Sequence, residues 1–346
     1  MELILRVAAD MEVSDLHLHA GHRVVTRIHG ALAEQPTKEF SADKVERLVL
    51  AILTEAQQQQ LQKAGELDFA YTIPSGARFR ANTYRHQRGL DAVFRYVPAQ
   101  PPTLEHLGLP ASLAGMLRWH NGLMLFTGPA GCGKTSTMAA MVALLNKDRT
   151  DNIITIEDPI EFVHPPGRSS FIQREVGGHT RSFARALRGS LREDPDVIVV
   201  GELRDLETIS LALSAAETGH LVLATLHTNN AVRTINRVIN AYPPEQQDQA
   251  RAMLSESLRG VISQRLLPRA DGEGRALALE ILVVNKAAAN LIRENKTLQL
   301  RTLIQTASGE GMVLLDNALL QLVKAGTITR EEALRHAEET RRFESA

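Results

Sequence analysis

The sequence has one cysteine, Cys132, among its 346 residues. A single thiol excludes an intrachain disulfide and any zinc site built from four thiolates. Aromatic residues make up only 4% of the chain and the formal net charge is −1, so neither a basic field nor an aromatic-lined groove favours a nucleic-acid partner. No apolar run approaches the ~20 residues that span a bilayer, and the N-terminus does not have the pattern of a signal peptide. These absences favour a soluble, cytoplasmic protein.

Apolar residues account for 44% of the sequence, which is enough for one large domain or two smaller ones. Prolines are dense in residues 98–102, a composition that stiffens a chain and excludes helix interiors. We therefore place a linker at residues 99–110, between a first domain at 1–98 and a second at 111–346. Short strands and helices before the linker predict an α+β domain, and residues 104–120 predict a helix that leads into the second domain.

The most informative stretch begins with the apolar run 123–127, which predicts a buried strand. Residues 128–135 then read G-x-x-x-x-G-K-T, and helical spacing continues to Leu145. Strand, glycine-rich loop and helix in this order predict a P-loop, whose backbone N–H groups and lysine bind a nucleoside triphosphate such as ATP. In this motif Cys132 is interpreted as a small residue that fits the turn. The predicted nucleotide-binding residues are Gly128, Pro129, Ala130, Gly131, Cys132, Gly133, Lys134, Thr135 and Ser136.

Apolar runs at 153–156, 197–200 and 221–225 alternate with helical segments and predict a parallel α/β sheet buried on both faces. Ligands of such sheets bind at the carboxyl ends of the strands. There the sequence has one acidic cluster, a single glutamate and a histidine, while a second histidine stands at the entry of the last strand. The predicted catalytic residues are Glu157, Asp158, Glu161, Glu202, His220 and His227.

The type of each side chain suggests its role. Glu202, after its apolar strand, is suited to activate the water that attacks the γ-phosphate, or to hold Mg²⁺ through water. Thr135, Glu157 and Glu161 are the candidate Mg²⁺ ligands. Carboxylates at strand ends also occur as helix caps or surface charges, and His227 is either a γ-phosphate contact or a structural loop histidine.

Three further patterns are less specific. The alternation of residues 14–19 places two histidines on one face of a strand, which indicates either a polar face or metal ligands. Arginines on two strands of the first domain form a basic face, at Arg78, Arg80 and Arg95. Arginines at i, i+4, i+7 and i+11 predict one charged helix face, suited to a neighbouring subunit, at Arg181, Arg185, Arg188 and Arg192.

Four motifs together resemble the secretion ATPases of the type II and type IV pilus systems, and within them the PilT-type retraction motors. Residues 128–135 match the Walker A motif and residues 153–164 are similar to the Asp box. Residues 194–205 are similar to the Walker B motif, with Glu202 as its catalytic glutamate. Residues 218–228 are similar to the His box, with His220 and His227. The first domain also has similar segments, so the resemblance covers nearly the whole chain.

The resemblance implies a PAS-like first domain, a RecA-like second domain and a ring-shaped homohexamer that uses ATP and Mg²⁺. It implies that Arg78, Arg80 and Arg95 reach the γ-phosphate. It also implies a motor at the cytoplasmic face of the inner membrane, attached through a membrane partner of the pilus platform and driving pilus retraction in twitching motility. Because assembly motors of this family carry a zinc-binding tetracysteine, the single cysteine favours the retraction side.

The sequence departs from the PilT pattern late in the chain. Where PilT proteins carry A-I-R-N-L-I-R-E, residues 287–294 have Ala288 and Ala289 in place of the isoleucine and the first arginine. Asn121 also stands where an arginine is common. Alternatives to a retraction motor are a PilT-like paralogue without a retraction role, a RecA-like nucleic-acid translocase and a nucleotide-dependent regulator that performs no work.

Overall fold

The computed structural model describes residues 1–11, 13–28, 31–98 and 100–343. The chain divides into two compact units, Met1–Gln100 and Pro101–Ala346. The predicted linker, residues 99–110, includes Ala99, which lies outside the described residues. Leu104, Leu107 and Leu109 of this segment pack on a core of the second unit. In the described ranges, no helix is long and apolar enough to cross a membrane.

The first unit is an antiparallel sheet with helices packed against it. Its elements are α1 (Glu2–Asp10), β1 (Asp15–Leu18), β2 (Val25–Ile28), β3 (Ala31–Glu34), α2 (Ala42–Leu50), α3 (Glu55–Ala64), β4 (Glu66–Thr72), β5 (Arg78–His86) and β6 (Gly89–Val97). Its described strands lie in the order β3-β2-β1-β6-β5-β4. Val45 and Val49 of α2 pack with Phe79 and Phe94 of the sheet in one buried cluster, which is the expected way to bury the apolar face of each element.

Local sequence signals define the helices of this unit. The apolar spacing of residues 41–63 predicts helix, and the structure has two helices there because Thr54 starts α3 with a complete capping box to Gln57, as the Thr-x-x-Gln spacing predicts. In β1, Leu16 and Leu18 are buried on one face, as expected. His17 lies on the other face and stacks on His19 at 5.6 Å. Among the described residues, no group of three or more His, Cys, Asp or Glu side chains has an arrangement that could hold a metal ion.

A buried carboxylate ties three segments of the first unit together. Asp91 is 4% exposed and accepts hydrogen bonds from the Ala20 N–H at 2.8 Å, His19 at 2.6 Å and His86 at 2.8 Å. Burial by itself raises the pKa of this carboxyl, but the hydrogen bonds outweigh it and the pKa is lowered from its usual 3.8. A depressed carboxyl pKa adds stability above the unfolded-state pKa, and this stability is lost as the pH falls through the folded-state pKa.

We expect Asp91→Asn to destabilise the protein by ~1–3 kcal/mol, because the amide places a donor where His19 now meets a carboxylate oxygen. The measurement is urea unfolding of the whole chain at neutral pH. The control is Glu46→Gln, which breaks the partly exposed 2.8 Å ion pair with Arg85 and should cost less than ~0.5 kcal/mol. Equal stability of the two variants would contradict the assignment.

The second unit is an α/β fold whose sheet is mainly parallel, as predicted. Its elements are α4 (Ser112–Met116), β7 (Gly122–Thr127), α5 (Lys134–Asp148), β8 (Asn152–Glu157), β9 (Ser170–Glu175), α6 (Phe183–Ser190), β10 (Val197–Val200), α7 (Leu206–Glu217), β11 (Leu221–Leu226), α8 (Ala231–Ile239), α9 (Gln247–Ser257), β12 (Leu258–Pro268), β13 (Arg275–Val283), α10 (Lys286–Arg293), α11 (Leu300–Thr306), α12 (Leu315–Lys324) and α13 (Arg330–His336).

The order of the strands places the polar strand ends side by side. Within the described chain the order is β13-β12-β7-β11-β10-β8-β9, and only the edge strand β13 runs antiparallel to its neighbour. All residues of β7, β10 and β11 are buried, as continuous apolar strands covered on both faces must be. The carboxyl ends of β7, β11, β10 and β8 therefore follow one another along one edge of the sheet.

Three helix predictions need correction. Residues 104–120 form only the short helix α4, because turns occupy 104–108 and Gly108 has φ +66°. Helix α6 begins after the Ser182 cap and ends at Ser190, so Arg181 and Arg192 lie outside the helix that was expected to carry all four arginines. The spacing of Thr329 and Glu332 also predicts a capping box at the start of α13. Thr329 caps the Glu332 N–H, but the Glu332 carboxylate binds Arg335 and His336 and does not complete the box.

Candidate functional site

The turn after β7 has a backbone that requires glycine. Gly128, Gly131 and Gly133 have φ values of +140°, +73° and +87°. A Cβ on Gly128 would lie 2.5 Å from the Cys132 Sγ and 2.5 Å from the Gln264 carbonyl oxygen. Gly133 directly precedes α5 as its N-cap. Positive φ angles at the start of a helix make a concavity of N–H groups that binds anions.

Lys134 lies across the mouth of this turn. Its ammonium group donates hydrogen bonds of 2.9 Å to the carbonyl oxygens of Gly128 and Pro129. Burial lowers the pKa of Lys134, while the negative charges of Glu202 and Glu161 act in the opposite direction. The side chain is thus a desolvated cation held at the P-loop with two carboxylates near it.

A chain of contacts leads from Lys134 to the predicted catalytic glutamate. The Lys134 ammonium lies 3.4 Å from the His227 Nδ1. The His227 Nε2 lies 3.2 Å from one carboxylate oxygen of Glu202, and the Arg204 Nε lies 2.8 Å from the other. Because Lys134 can only donate, Nδ1 of His227 is the acceptor and Nε2 carries the proton. Glu202 and His227, predicted from two different strand ends, are therefore brought to the P-loop.

The acidic cluster after β8 divides into two environments. Glu157 accepts hydrogen bonds from Thr155 at 2.6 Å and Gln173 at 3.1 Å. Burial raises the pKa of Glu157, and these hydrogen bonds oppose the shift. Asp158 and Glu161 are exposed, and the charge of Glu161 acts on Lys134. The arrangement favours a positioning role for Glu157 and leaves Glu161 available near the loop.

The structure does not bring His220 to this cluster. His220 precedes β11, next to the start of β7, because Leu221 pairs with Gly122 at one end and Leu226 with Thr127 at the other. The P-loop follows Thr127, so the whole length of the strand separates it from His220. The His220 Nδ1 lies 2.9 Å from the Ala215 carbonyl oxygen. Within one chain, His220 is a residue of the helix–strand turn.

The three predicted arginines belong to the first unit and have different surroundings. The Arg95 Nε donates to the Asp15 carboxylate at 2.9 Å, and Asp15 is 6% exposed. Arg78 is partly buried. Arg80 lies opposite Arg95 in the β5–β6 register and is exposed. Arg95 and Arg80 therefore both reach solvent, but Arg95 also pairs with a buried carboxylate.

The β12–β13 hairpin, which the sequence patterns did not predict, lies against the P-loop. The Ser263 hydroxyl lies 2.6 Å from that of Thr127. The Gln264 Nε2 donates to the Cys132 carbonyl at 3.3 Å, and Arg275 donates to the Gly131 carbonyl at 3.3 Å. The apolar, β-branched residues around 260–262 and 276–283 were the available signal for these strands. Their partner in the sheet was not readable from the sequence.

Comparison with known proteins finds relatives that are similar over most of this chain. A family model described as "Type II/IV secretion system protein" matches residues 1–335. A "Twitching motility protein" of Neisseria gonorrhoeae is 46% identical over 312 residues, which are 90% of this chain and 83% of the relative. A "Type IV pilus retractation ATPase PilT" of Pseudomonas aeruginosa is 45% identical over 330 residues, 95% of this chain and 96% of the relative.

A solved structure has the same fold over nearly its full length. "Crystal Structure of the Pilus Retraction Motor PilT and Bound ADP" superposes with a TM-score of 0.91 at 43% identity, covering 99% of this chain and 98% of the other. This match confirms the predicted fold class, and the sequence matches confirm the resemblance drawn from the four motifs. The chain belongs to the type II/IV secretion system protein family.

Proposed function

We propose that this protein is a motor ATPase that hydrolyses ATP to drive type IV pilus retraction. The observation that carries the proposal is the contact chain from Lys134 through His227 to Glu202 at the glycine loop. It joins a phosphate-binding cation, a histidine and a carboxylate, which are the groups that triphosphate hydrolysis needs. The relatives named for twitching motility and pilus retraction match 90% and 95% of this chain.

The geometry supports a separate role for each of Lys134, Glu202 and His227. When a triphosphate binds, its oxygens replace the Gly128 and Pro129 carbonyls as partners of the Lys134 ammonium. Glu202 accepts the proton of the attacking water as general base. His227, with its Nε2 proton directed at Glu202, orients that carboxylate and lies next to the lysine that holds the phosphates. Loss of the γ-phosphate therefore changes the surroundings of Lys134 and of His227, and His227 begins the segment that leads into α8.

We infer that Mg²⁺ accompanies the nucleotide. Mg²⁺ keeps several water ligands and takes one or two protein oxygens together with phosphate oxygens, so a preformed protein cage is not required. Thr135, in the first turn of α5, supplies a hydroxyl beside the glycine loop, and Glu161 and Glu202 supply negative charge around Lys134. When bound, the ion would neutralise charge on the phosphates.

Assembly and location are also inferences from the family. We propose a homohexameric ring in which Arg80, with Arg78 and Arg95 beside it, acts on the nucleotide of a neighbouring subunit. An arginine supplied in trans makes isolated subunits poor ATPases. We further propose that the ring works at the cytoplasmic face of the inner membrane, bound to a platform protein of the pilus and without nucleic acid.

One feature favours a second candidate, a paralogue that hydrolyses ATP without a retraction role. Ala288 is buried in α10 and Ala289 is partly buried, where the PilT motif has isoleucine and arginine. The nucleotide site does not include these positions. Only the coupling of hydrolysis to the pilus is affected by this difference.

We expect Lys134→Ala to abolish the function in cells, because loss of a phosphate-binding cation at a desolvated site lowers turnover by ~10²–10³-fold or more. The measurement is surface piliation and twitching in a gene-deletion strain complemented with wild type or with the variant. The deletion and Lys134→Ala strains should carry excess pili and not twitch. Normal twitching in the deletion strain, together with ATPase activity of the purified protein, would identify the paralogue. Activity that requires nucleic acid would identify a translocase.

A further inference from the structure

The β12–β13 hairpin lies beside the P-loop, and none of the catalytic roles proposed above involves it. Strand β12 pairs with β7 in parallel, and Ser263 opposite Thr127 is the last pair of that register. Gln264 is therefore level with Gly128, the first residue of the loop. Its side chain is 2% exposed, and the site for a Cβ on Gly133 lies 3.6 Å from its Nε2. Gln264 therefore lies against both outer glycines of the loop, with its backbone carbonyl at Gly128 and its side-chain amide at Gly133.

A P-loop whose N–H groups face the phosphates must direct its carbonyl groups away from them. Cys132 is buried, and its carbonyl needs a hydrogen-bond partner because an unpaired buried carbonyl costs free energy. Gly131 is exposed, and the outward carbonyls of both residues find partners on the hairpin. The Cys132 carbonyl accepts from the Gln264 amide, and the Gly131 carbonyl accepts from the Arg275 guanidinium. Both bonds cross more than 130 positions of sequence and connect the loop to the most extensively paired hairpin of the unit.

The Gln264 side-chain amide also has an unpaired acceptor, so its effect on the position of the loop can be distinguished from its effect on folding stability. Its Oε1 is buried and accepts no hydrogen bond within the described structure. An unsatisfied buried acceptor is unfavourable by ~1–3 kcal/mol, while one neutral hydrogen bond contributes ~1 kcal/mol. The unpaired acceptor and the one neutral hydrogen bond of the Gln264 amide therefore have opposite effects on folding stability. Among the described residues, the hydrogen bond that its side chain makes goes to the phosphate-binding loop.

We propose that Gln264 and Arg275 are positioning residues that hold the P-loop in its phosphate-binding form by anchoring the outward carbonyls of Cys132 and Gly131. The proposal rests on the nucleotide-binding function proposed above and adds the hairpin to it. Neither residue contacts the reacting atoms in this account. They raise the fraction of molecules whose P-loop already has its phosphate-binding geometry before the nucleotide binds. Their loss should therefore weaken nucleotide affinity more than it lowers turnover.

The test uses the full-length protein and the variants Gln264→Met and Arg275→Met. Methionine at 264 keeps the approximate volume, removes the donor and also removes the unsatisfied acceptor. We expect each variant to bind ADP and ATP ~3- to 10-fold more weakly and to show a similar rise in KM. Their kcat should stay within ~2-fold of wild type, and the midpoint of thermal unfolding without nucleotide should not fall for Gln264→Met.

The control is Arg269→Ala, on the same hairpin, whose guanidinium binds the exposed Asp271 and not the loop. It should leave nucleotide affinity unchanged. Unaltered KM and affinity in both hairpin variants, with an active wild type, would overturn the proposal and leave the proposed function intact. A lower unfolding midpoint for Gln264→Met with unaltered affinity would also overturn it, because that result means a structural role. Absence of nucleotide binding by the wild type would instead reject the proposed function.

Discussion

Glu202→Gln is expected to lower kcat for ATP hydrolysis by ~10²–10⁴-fold, the usual contribution of a general base. Glutamine has nearly the same shape, but its single amide oxygen can keep only one of the two contacts that the Glu202 carboxylate makes with Arg204 and His227, and it cannot take a proton from water. Binding of ATP should be retained, because Lys134 and the loop amides are unchanged. Single-turnover hydrolysis and equilibrium nucleotide binding, measured on the same preparation, separate the two quantities.

The matched control for this variant is Glu207→Gln. Glu207 is an exposed glutamate in the first turn of α7 and pairs with Arg188 at 2.7 Å. Its neutralisation should leave turnover within ~2-fold, since exposed ion pairs contribute little. If Glu202→Gln hydrolysed ATP at the rate of Glu207→Gln, another group would have to be the base. Negligible turnover in both variants and in the wild type would favour a nucleotide-dependent regulator over a motor.

Arg80→Ala is expected to lower the hydrolysis rate of the assembled protein by ~10³–10⁵-fold, the range for an arginine that stabilises the transferring phosphoryl group in trans. Arg80 and Arg95 are both exposed, but Arg80 is the appropriate arginine to replace because Arg95 pairs with a buried carboxylate. Removing Arg95 would leave the buried Asp15 without its 2.9 Å partner and would destabilise the first unit. The measurement is ATPase activity as a function of protein concentration, with nucleotide binding measured in parallel.

Subunit mixing makes this prediction specific for action in trans. Arg80→Ala subunits retain Glu202, and Glu202→Gln subunits retain Arg80, so a mixed ring contains some sites with both residues intact. The mixture should hydrolyse ATP well above the sum of the separate variants. Arg85→Ala, on the same strand and paired with Glu46, should behave as wild type. No recovery in mixed rings would contradict an arginine supplied by a neighbour.

Much of the nucleotide site was predictable because its chemistry is local. The glycines, Lys134 and Thr135 lie within eight consecutive residues, and the turn they form depends on backbone angles available only to glycine. Glu202 and His227 were also predictable, since parallel strands deliver their carboxyl ends to one edge. His220 stands before its strand, so the same rule places it at the other edge of the sheet, and its predicted catalytic role was implied by the resemblance to the His box.

The elements that were missed or misjudged depend on distant partners. The expected helix at 104–120 is mostly turns, and the arginine helix ends at Ser190, two residues before Arg192. Arg78, Arg80 and Arg95 were predicted as one basic face, but Arg95 differs because it pairs with the buried carboxylate of Asp15, about 80 positions away. Periodicity predicts which face of a strand or helix a residue occupies, but it does not predict which side chains from other elements lie against that face.

The sequence by itself determined that this protein carries a P-loop, which carboxylate and histidine stand at neighbouring strand ends, and which family it resembles, because each of these depends on residues close together in the chain. Only the tertiary structure decided that His227 contacts both Lys134 and Glu202, that Arg95 pairs with Asp15, and that Gln264 and Arg275 donate to carbonyl groups of the loop. These contacts depend on strand order and register, which are set by burial of whole elements and not by any one segment.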